Sequence, residues 1–397
     1  MKWFYSLGVF LYTAAVKCVA WWNPKAKKWV AGRRQVWEDI AEFQPQSKVY
    51  WFHCASLGEF EQGRPIMEKL KSTEDCQLVV TFFSPSGYEV RKNYEGADLL
   101  TYLPVDTAKN AKRFIAKVQP TKAFFIKYEF WANYIEQCNK LSIPIYSVAA
   151  LFRKEQFFFK WYGSYMRSVL KKFDQIFVQD QPSQDRLKEI GIQAIICGDT
   201  RFDRVIENAT KVKSYPEIER FKADEKVLIC GSIWQEDLQV IHQKLSREGD
   251  WKVIIAPHEI SESFMAQIER KVGLATIRYS NIEQYKGEQL LIIDNIGMLM
   301  NLYQYGDLAY IGGGFKTGLH NILEPAAFGL PVIMGDKTEK FPEAKLFIEN
   351  GIGFQVSNQL EFEKQFDHLK SQELRPKIRK FMESQTGATD LIIKHIS

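Results

Sequence analysis

The sequence lacks the arrangements of cysteine and histidine that bind metals or form disulfides. Its six cysteines are scattered, and no two of them form a Cys-x-x-Cys pair. This pattern indicates reduced thiols in a cytosolic compartment and argues against a zinc site. The six histidines show no His-Glu-x-x-His or similar ligand spacing. We therefore expect neither a metal nor a bound cofactor.

The sequence also lacks a strong charge imbalance. Its formal net charge of +5 gives a mild preference for anionic partners and does not indicate nucleic-acid binding. A hydrophobic content of 46% with 14% aromatic residues excludes a disordered protein. A chain of 397 residues is longer than one ordinary hydrophobic core requires, so two domains are expected.

Long hydrophobic runs are absent except at the start, where Trp3–Trp22 is apolar and aromatic. That stretch is just long enough to span a bilayer, and tryptophans lie near both of its ends. A basic cluster follows at Lys25, Lys27, Lys28, Arg33 and Arg34. We expect residues 1–22 to be a membrane-anchor helix, spanning the bilayer or lying in its interface, with the remaining chain on the cytoplasmic side. The alternative is a buried first helix of a soluble protein, which Lys17 leaves open.

From Lys48 onward, short apolar runs alternate with amphipathic ones. This alternation predicts parallel sheets covered by helices on both faces. A polar stretch, residues 208–221, is the predicted linker between an N-terminal domain, 23–207, and a C-terminal domain, 222–397. The predicted strands are Val49–His53, Leu78–Phe83, Leu99–Leu103, Ala123–Ile126, Ile145–Val148, Gln175–Val178, Ala194–Cys197, Val227–Cys230, Val253–Ala256, Ala275–Arg278, Leu290–Ile293, Leu308–Ile311, Val332–Met334 and Gly353–Val356.

A glycine-rich turn follows the strand Leu308–Ile311. Gly312–Gly314 leads into a helix for which Asn321 is the predicted N-cap, with Glu324 at capping-box spacing. Such a layout directs free backbone N–H groups and a positive helix end at an anion, typically a nucleotide phosphate. The alternative is a tight turn in which Glu324 only caps its own helix.

Charged side chains follow other predicted strands, where parallel sheets place their ligands. Glu59 lies after the first strand and could take a proton from a hydroxyl, or could be an ordinary first-turn glutamate. Glu129 lies between aromatic residues and suits the wall of a sugar pocket, or a solvated loop. Arg201 could offset phosphate charge, or could pair with Asp199 or Asp203.

Several of these segments resemble motifs of the Kdo transferases (3-deoxy-D-manno-octulosonic acid transferases), membrane-bound glycosyltransferases of lipopolysaccharide assembly. The family reads Gly-Gly-His-Asn-x-x-Glu-Pro-Ala where this chain has Gly318–Ala326, with Leu319 in place of one glycine. It reads Ser-x-Gly-Glu at Ser56–Glu59 and Glu-x-Trp at Glu129–Trp131. At Gly198–Asp203 it reads Gly-Asn-x-Lys-Phe-Asp, and Arg201 replaces its usual lysine.

The resemblance implies an α/β fold of the GT-B type, with two Rossmann-like domains facing a central cleft and an N-terminal membrane-anchor helix. By the same resemblance, Glu59 is the general base, Glu129 helps to stabilise the transition state and Arg201 offsets the charge of the departing phosphate. The residues that it implies contact the nucleotide are Pro257, His258, Ile296, Gly297, Met298, Gly313, Gly314, Asn321, Ile322, Leu323 and Glu324.

The activity implied by the resemblance is inverting transfer of Kdo from CMP-Kdo to a lipid A precursor of the lipid IVA type. CMP-Kdo is then a substrate, the membrane surface and the lipid are partners, and the location is the cytoplasmic side of the inner membrane. Three alternatives stay open. They are a GT-B transferase using a UDP-sugar and a lipid acceptor, a nucleotide-sugar epimerase, and a membrane-tethered nucleotide sensor.

Overall fold

The computed structural model describes residues 2–316 and 318–396. The chain divides into two compact units. Unit 1 contains the residues up to Asp203 together with those from Thr386 onward, and unit 2 is Arg204–Gln385. Each unit contains a parallel sheet flanked by helices, as the alternation of apolar and amphipathic segments predicts.

Unit 1 begins with three helices and then alternates strands with helices. Its elements are α1 Lys2–Val19, α2 Pro24–Gly32, α3 Val36–Glu42, β1 Lys48–Cys54, α4 Leu57–Thr73, β2 Cys76–Phe82, α5 Pro85–Arg91, β3 Leu99–Tyr102, α6 Ala108–Val118, β4 Lys122–Ile126, α7 Ala132–Lys140, β5 Ile145–Ala150, α8 Ser164–Leu170, β6 Gln175–Val178, α9 Gln181–Glu189 and β7 Ile195–Ile196. The next helix, α10 Arg201–Thr210, begins in unit 1 and continues into unit 2. The unit's seven strands lie in the order β3-β2-β1-β4-β5-β6-β7.

The strands of unit 1 are apolar on both faces because helices cover both sides of the sheet. In β1, six of the seven residues are buried, and only Lys48 is exposed. Trp51 and Phe52 are fully buried in the core of this unit, where Phe52 stacks on Phe124 of β4 with ring centroids 4.4 Å apart. The sheet therefore provides a rigid base for the loops that leave its carboxyl edge.

Unit 2 repeats the alternation of strands and helices. Its elements are α11 Pro216–Lys222, β8 Lys226–Ile233, α12 Gln235–Leu245, β9 Trp251–Pro257, α13 Glu262–Val272, β10 Thr276–Arg278, β11 Leu290–Ile292, α14 Leu299–Leu302, β12 Leu308–Ile311, α15 Leu323–Ala327, β13 Val332–Gly335, α16 Pro342–Glu349, β14 Gly353–Val356, α17 Gln359–Lys370 and α18 Arg375–Ser384. The strands lie in the order β10-β11-β9-β8-β12-β13-β14, all paired in parallel.

The predicted domain boundaries need two corrections. The predicted linker, 208–221, includes the end of α10 and most of α11, and the division between the units falls at Asp203/Arg204. The prediction that the C-terminal domain runs to residue 397 is wrong, because a last helix, α19 (Ala388–Ile396), belongs to unit 1. Its apolar side buries Ile392 and Ile396 in the core of unit 1.

The N-terminal helix predicted from the apolar run is present as α1. Tyr5 and Val9 on one side of α1 are partly buried, while Trp3, Phe4 and Phe10 on the other side are exposed. No helix within residues 2–316 and 318–396 combines the length and apolar character that crossing a membrane requires.

Candidate active site

In unit 1 the candidate site lies at the strand where the order of strand addition reverses, from one side of the sheet to the other. β1 is bordered by β2 on one side and by β4 on the other, so the chain continues from these neighbouring strands to opposite edges of the sheet. Loops that leave two such strands diverge and open a crevice at their carboxyl ends. Glu59 follows β1 and Glu129 follows β4, so this sheet places both predicted carboxylates at its crevice.

Glu59 lies in the first turn of α4, as predicted. Ser56 precedes the helix, and its hydroxyl donates a hydrogen bond to Oε2 of Glu59. The Glu59 side chain is half-buried, and Oε1 has no protein donor within the described part of the chain. Gly58 has helical backbone with room for a Cβ, whose nearest neighbour would be Ser56 Oγ at 3.9 Å.

Glu129 is held by two donors at a single oxygen. His53 Nε2 lies 3.2 Å from Oε2, and the indole Nε1 of Trp131 donates to the same oxygen at 2.6 Å. Only 13% of the Glu129 side chain is exposed, and Oε1 has no donor among residues 2–316 and 318–396. The carboxylate is thus fixed in orientation with one oxygen left for a ligand.

Sequence reasoning missed His53, which lies inside β1. The ring is fully buried, and its Nδ1 lies 2.9 Å from Thr81 Oγ1, which also accepts a hydrogen bond from Trp51 Nε1 at 2.8 Å. The parallel register pairs His53 directly with Thr81 of β2. The one signal in the sequence is a polar residue within the apolar run of each of two neighbouring strands. A buried polar residue needs a partner, and His53 reaches two.

The charges of Glu59 and Glu129 act on a common neighbour. Burial raises the pKa of the Cys54 thiol well above its ordinary value, and the negative charges of Glu59 and Glu129 raise it further. Cys54 is therefore a protonated, unreactive core residue. Both carboxylates lie close enough to one buried atom to influence its ionisation.

Arg201 forms the contact that we considered as the alternative to phosphate binding. Its Nε and Nη2 donate to Asp199 Oδ2 at 2.9 and 2.7 Å, and its backbone N–H donates to Oδ1 at 3.0 Å. The Arg201 charge and these hydrogen bonds outweigh the effect of burial and hold the pKa of Asp199 below its usual range. The pair is electrically neutral as a whole, which weakens the attraction of Arg201 for an anion.

In unit 2 the glycines after β12 are required by close packing. A Cβ on Gly312 would lie 2.3 Å from Ser232 O, and one on Gly313, where φ is +90°, would lie 2.2 Å from Gly318 O. The N–H of Gly312 donates to Gly231 O at 2.9 Å, and that of Gly313 donates to Asp237 Oδ2 at 3.0 Å. The expectation that these two N–H groups are free for a phosphate is therefore wrong. Gly314 N–H has no acceptor within the described residues.

The helix that follows starts one residue later than predicted. The N-cap of α15 is Ile322, and Asn321 Oδ1 accepts from the N–H of Leu323 at 3.0 Å. Asn321 Nδ2 donates to Glu324 Oε1 at 2.9 Å, so Glu324 pairs with a side chain and not with the backbone of a capping box. Burial raises the pKa of Glu324, an effect opposed by Asn321 and by the charge of Arg204.

His258, a predicted nucleotide contact, and His320, which was not predicted as one, join Trp234 in an aromatic stack. The Trp234 and His258 ring centroids lie 4.1 Å apart, those of the two histidines lie 4.5 Å apart, and Trp234 Nε1 donates to His320 Nε2 at 3.0 Å. Burial and the neighbouring His258 lower the pKa of His320 to about 4, and burial lowers that of His258. The rings are therefore neutral at physiological pH. Sequence reasoning missed Trp234, which precedes α12.

The other predicted nucleotide contacts differ in accessibility. Pro257 is the last residue of β9, and Ile296 and Gly297 are exposed in the loop after β11, with φ of +96° at Gly297. The remaining three predicted contacts, Met298, Ile322 and Leu323, are buried. Their side chains serve the core, so a ligand could reach only their backbone groups.

The loops that carry these residues share one edge of the sheet. β8 lies between β9 and β12, so it is the strand at which the order of strand addition reverses in this second sheet. Trp234 follows β8, His258 follows β9, and Gly312–His320 follows β12. The observed edge is where an open α/β sheet is expected to bind a ligand.

Comparisons with known proteins agree with this architecture. Residues 31–204 match the family model described as 3-Deoxy-D-manno-octulosonic-acid transferase (kdotransferase). The chain is 29% identical over 322 residues to 3-deoxy-D-manno-octulosonic acid transferase of Aquifex aeolicus, which covers 78% of this chain and 83% of that protein. It is 27% identical to the protein of the same name from Haemophilus influenzae, over 75% of this chain and 73% of that one.

Among solved structures, the chain is similar to UDP-GlcNAc 2-epimerase from Neisseria meningitidis. The TM-score is 0.60 at 13% sequence identity, covering 88% of this chain and 99% of that one. At that identity the likeness shows the fold alone. The sequence matches confirm the predicted resemblance to the Kdo transferases. They identify the chain as a glycosyltransferase similar to that family.

Proposed function

We propose that the protein transfers Kdo from CMP-Kdo to a hydroxyl group of a lipid A precursor, with inversion at the anomeric carbon. The family match and the sequence relatives support the transfer of Kdo. The acceptor, the stereochemistry and the residue roles are our inference from the site.

One observation carries the proposal, which is the pair of carboxylates at the crevice of unit 1. Glu59 lies at the start of α4 with one oxygen bound by Ser56. Glu129 follows β4 with one oxygen bound by His53 and Trp131. Each retains an oxygen without a protein donor in the described residues, so each can bind a hydroxyl or a developing positive charge.

In the proposed reaction, Glu59 accepts the proton of the acceptor hydroxyl. The oxygen freed of that proton forms a bond to the anomeric carbon of Kdo, and the bond from that carbon to the phosphate oxygen breaks. CMP departs with the bonding electron pair on the opposite face, which inverts the configuration. Glu129 stabilises the positive charge that develops on the sugar ring, as a fixed carboxylate can without reorganising.

Unit 2 is the proposed binding region for the cytidine nucleotide. The stacked rings of Trp234, His258 and His320 offer a flat aromatic surface, and aromatic rings stack on nucleobases. The Gly314 N–H and the exposed backbone around Gly297 are candidate donors to the nucleotide. Arg201 could bind the phosphate only weakly, because the Asp199 carboxylate neutralises most of its positive charge.

We further propose that α1 binds the cytoplasmic face of the inner membrane. Its outward side exposes Trp3, Phe4, Phe10 and Leu11, with exposed fractions of 66%, 68%, 68% and 56%. Trp21 and Trp22 follow, at 89% and 73%. The exposed Lys25, Lys27 and Lys28 come next and would meet anionic headgroups. An amphipathic helix of this kind lies in the membrane interface.

The proposed reaction can be tested directly with purified protein. CMP-Kdo and a lipid A precursor are incubated with the protein, the product mass is read by mass spectrometry, and its anomeric configuration is read by NMR. Excess CMP should inhibit the reaction and UDP should not. A product formed from a UDP-sugar, or epimerisation without any acceptor, would replace the proposal with one of its rivals.

A further inference from the structure

A groove runs between α1 and the loops at the carboxyl edge of the sheet in unit 1. Its central part is a cavity of about 490 Å³ lined mostly by apolar and aromatic side chains. The principal lining residues are Tyr5, Val9, Tyr12, Trp29, Phe83 and Trp131. The groove has few polar groups to satisfy a sugar or a peptide backbone, both of which need hydrogen-bond partners when buried.

The central cavity continues at both ends. A cavity of about 470 Å³ shares Tyr5 and Trp131 with it, and one of about 310 Å³ shares Tyr12, Trp29 and Phe83 with it. The three cavities are therefore neighbours in a row alongside α1, with shared side chains forming their common walls. A long, narrow, apolar space fits an extended hydrocarbon chain better than a compact ligand.

One end of the groove reaches the candidate catalytic carboxylate. Trp131 lines two of the cavities, stacks on Phe83 with ring centroids 4.9 Å apart, and donates its indole N–H to Glu129. Glu129 itself lines the 470 Å³ cavity. A molecule with its chain in this groove would thus have its polar end beside the site.

The other end of the groove approaches the basic residues after α1. Lys25 lines the 310 Å³ cavity, and Arg33 lines the central one. The Arg33 guanidinium lies 3.8 Å from the Trp29 ring centroid and donates to the carbonyl oxygens of Phe83 and Leu103 at 2.9 and 3.2 Å. It also donates to the Trp29 carbonyl oxygen at 3.3 Å. Because these partners are neutral carbonyl groups and no carboxylate in residues 2–316 and 318–396 pairs with it, its net positive charge can attract an anionic group.

The polar group that shares the central cavity with Arg33 is already satisfied. Asp106 Oδ2 accepts from the Tyr5 hydroxyl at 2.5 Å, and the backbone N–H groups of Asn133 and Tyr134 donate to the same carboxyl at 3.3 Å. The Asp106 carboxyl is thus turned toward protein donors and fixes α1 against the unit through Tyr5. Because Asp106 is satisfied in this way, the central cavity stays mostly apolar, and the Arg33 guanidinium is the charged group at its wall.

We propose that this groove holds an acyl chain of the lipid acceptor, with the acceptor's hydroxyl beside Glu129 and an anionic group of its headgroup near Arg33. The inference rests on the proposed function, because the chain belongs to the acceptor of that reaction. The exposed aromatic side of α1 would place the mouth of the groove at the membrane surface, where such a chain could enter.

The test fills the groove from a position that disturbs no packing. Gly8 lines the central cavity, and a Cβ added there meets no atom within 4 Å. Gly8→Phe and Val9→Trp should raise KM for an acylated acceptor by about tenfold for every two methylene groups displaced. KM for the deacylated acceptor and for CMP-Kdo should not change. Ser6→Phe, an exposed position on α1 outside the groove, is the matched control.

Either of two kinetic results would overturn the proposal. One is an unchanged KM for the acylated acceptor in Gly8→Phe and Val9→Trp, and the other is an equal change in Ser6→Phe. A loss of binding to phosphatidylglycerol vesicles in Gly8→Phe, with KM for the acceptor unchanged, would assign the groove to a bilayer lipid and also overturn it.

A binding experiment separates this proposal from the proposed reaction. Calorimetry with dodecyl phosphate should show binding to the wild-type protein that Gly8→Phe weakens and Ser6→Phe retains, and butyl phosphate should bind poorly. If the wild type transfers nothing from CMP-Kdo but this pattern holds, the reaction is wrong and the groove stands as a chain-binding site. If transfer occurs but dodecyl phosphate binds Gly8→Phe as well as wild type, the groove proposal fails alone.

Discussion

In unit 1, the loops that leave β1 and β4 carry two carboxylates, whereas in unit 2 the loops after β8, β9 and β12 carry Trp234, two histidines and closely packed glycines. In both sheets the order of strand addition reverses at an interior strand, which is β1 in unit 1 and β8 in unit 2. One architecture therefore presents carboxylates in one unit and flat, neutral rings in the other. The comparison teaches that the sheet fixes where a site lies, while loop residues decide its chemistry.

The largest expected effect comes from removing Glu59, the proposed proton acceptor of unit 1. Glu59→Gln should lower kcat by about 10²–10⁴-fold, because a positioned base contributes that much, while the affinity of unit 2 for CMP stays the same. Single-turnover kinetics and CMP titration measure the two quantities. The control is Glu68→Gln on the same helix, where the exposed Glu68 pairs with Arg64 at 2.6 Å. Normal turnover in Glu59→Gln would remove this residue from the mechanism.

A second change tests whether Glu129 needs the hydrogen bond from His53 of β1 to hold its position. His53→Phe keeps the ring shape but deletes the contacts to Glu129 and Thr81, so kcat should fall about 10²-fold through misplacement of Glu129, with KM for CMP-Kdo little changed. His53→Gln, whose amide can still donate, should recover part of the rate. A fall in melting temperature with normal kcat in His53→Phe would show a purely structural role.

A third pair of variants compares one glycine from each unit. Gly313→Ala forces a Cβ into Gly318 O at a φ of +90°, so the free energy of unfolding should fall by about 2 kcal/mol and CMP binding should weaken. Gly58→Ala, in helical backbone with open space, should raise stability by about 0.5–1 kcal/mol. Urea denaturation measures both. Equal tolerance of the two alanines would mean that the glycine turn of unit 2 relaxes easily.

The smallest expected effect concerns the rings of unit 2. The pKa of His320 is about 4 in the folded chain and about 6.5 when unfolded, so as the pH falls between these values only the unfolded chain gains a proton. Its contribution to stability is present above pH 6.5 and is lost as the pH falls through 4. Between pH 7 and pH 5 the loss should be about 1 kcal/mol, discounted for the partial exposure of the ring.

Urea denaturation of the wild type and of His320→Gln at both pH values isolates this contribution, since other groups titrate alike in the two proteins. The wild type should lose more stability on acidification than the variant. Identical losses would indicate that the stack does not depress the pKa of His320.

The alternation of the sequence predicted all the strands of the two sheets, because buried parallel strands are short apolar runs between amphipathic helices. It also placed Glu59 and Glu129 at strand ends, which is a local property. It could not predict that His53 meets Glu129, which lies 76 residues away, because that contact depends on how β1 and β4 pair. Trp234 and the occupied N–H groups of Gly312 and Gly313 are likewise properties of packing between distant segments.

The return of α19 to unit 1 has a consequence for synthesis of the protein. Asp203 accepts hydrogen bonds from the backbone N–H groups of Gly387 and Thr389 at 2.6 and 2.7 Å, and Ile392 and Ile396 complete the apolar interior of that unit. The ribosome makes most of the carboxylate-bearing unit before it makes unit 2, yet unit 1 cannot close its interior until α19 has been synthesised. Unit 2, whose residues are continuous, can finish folding while unit 1 still awaits its final helix.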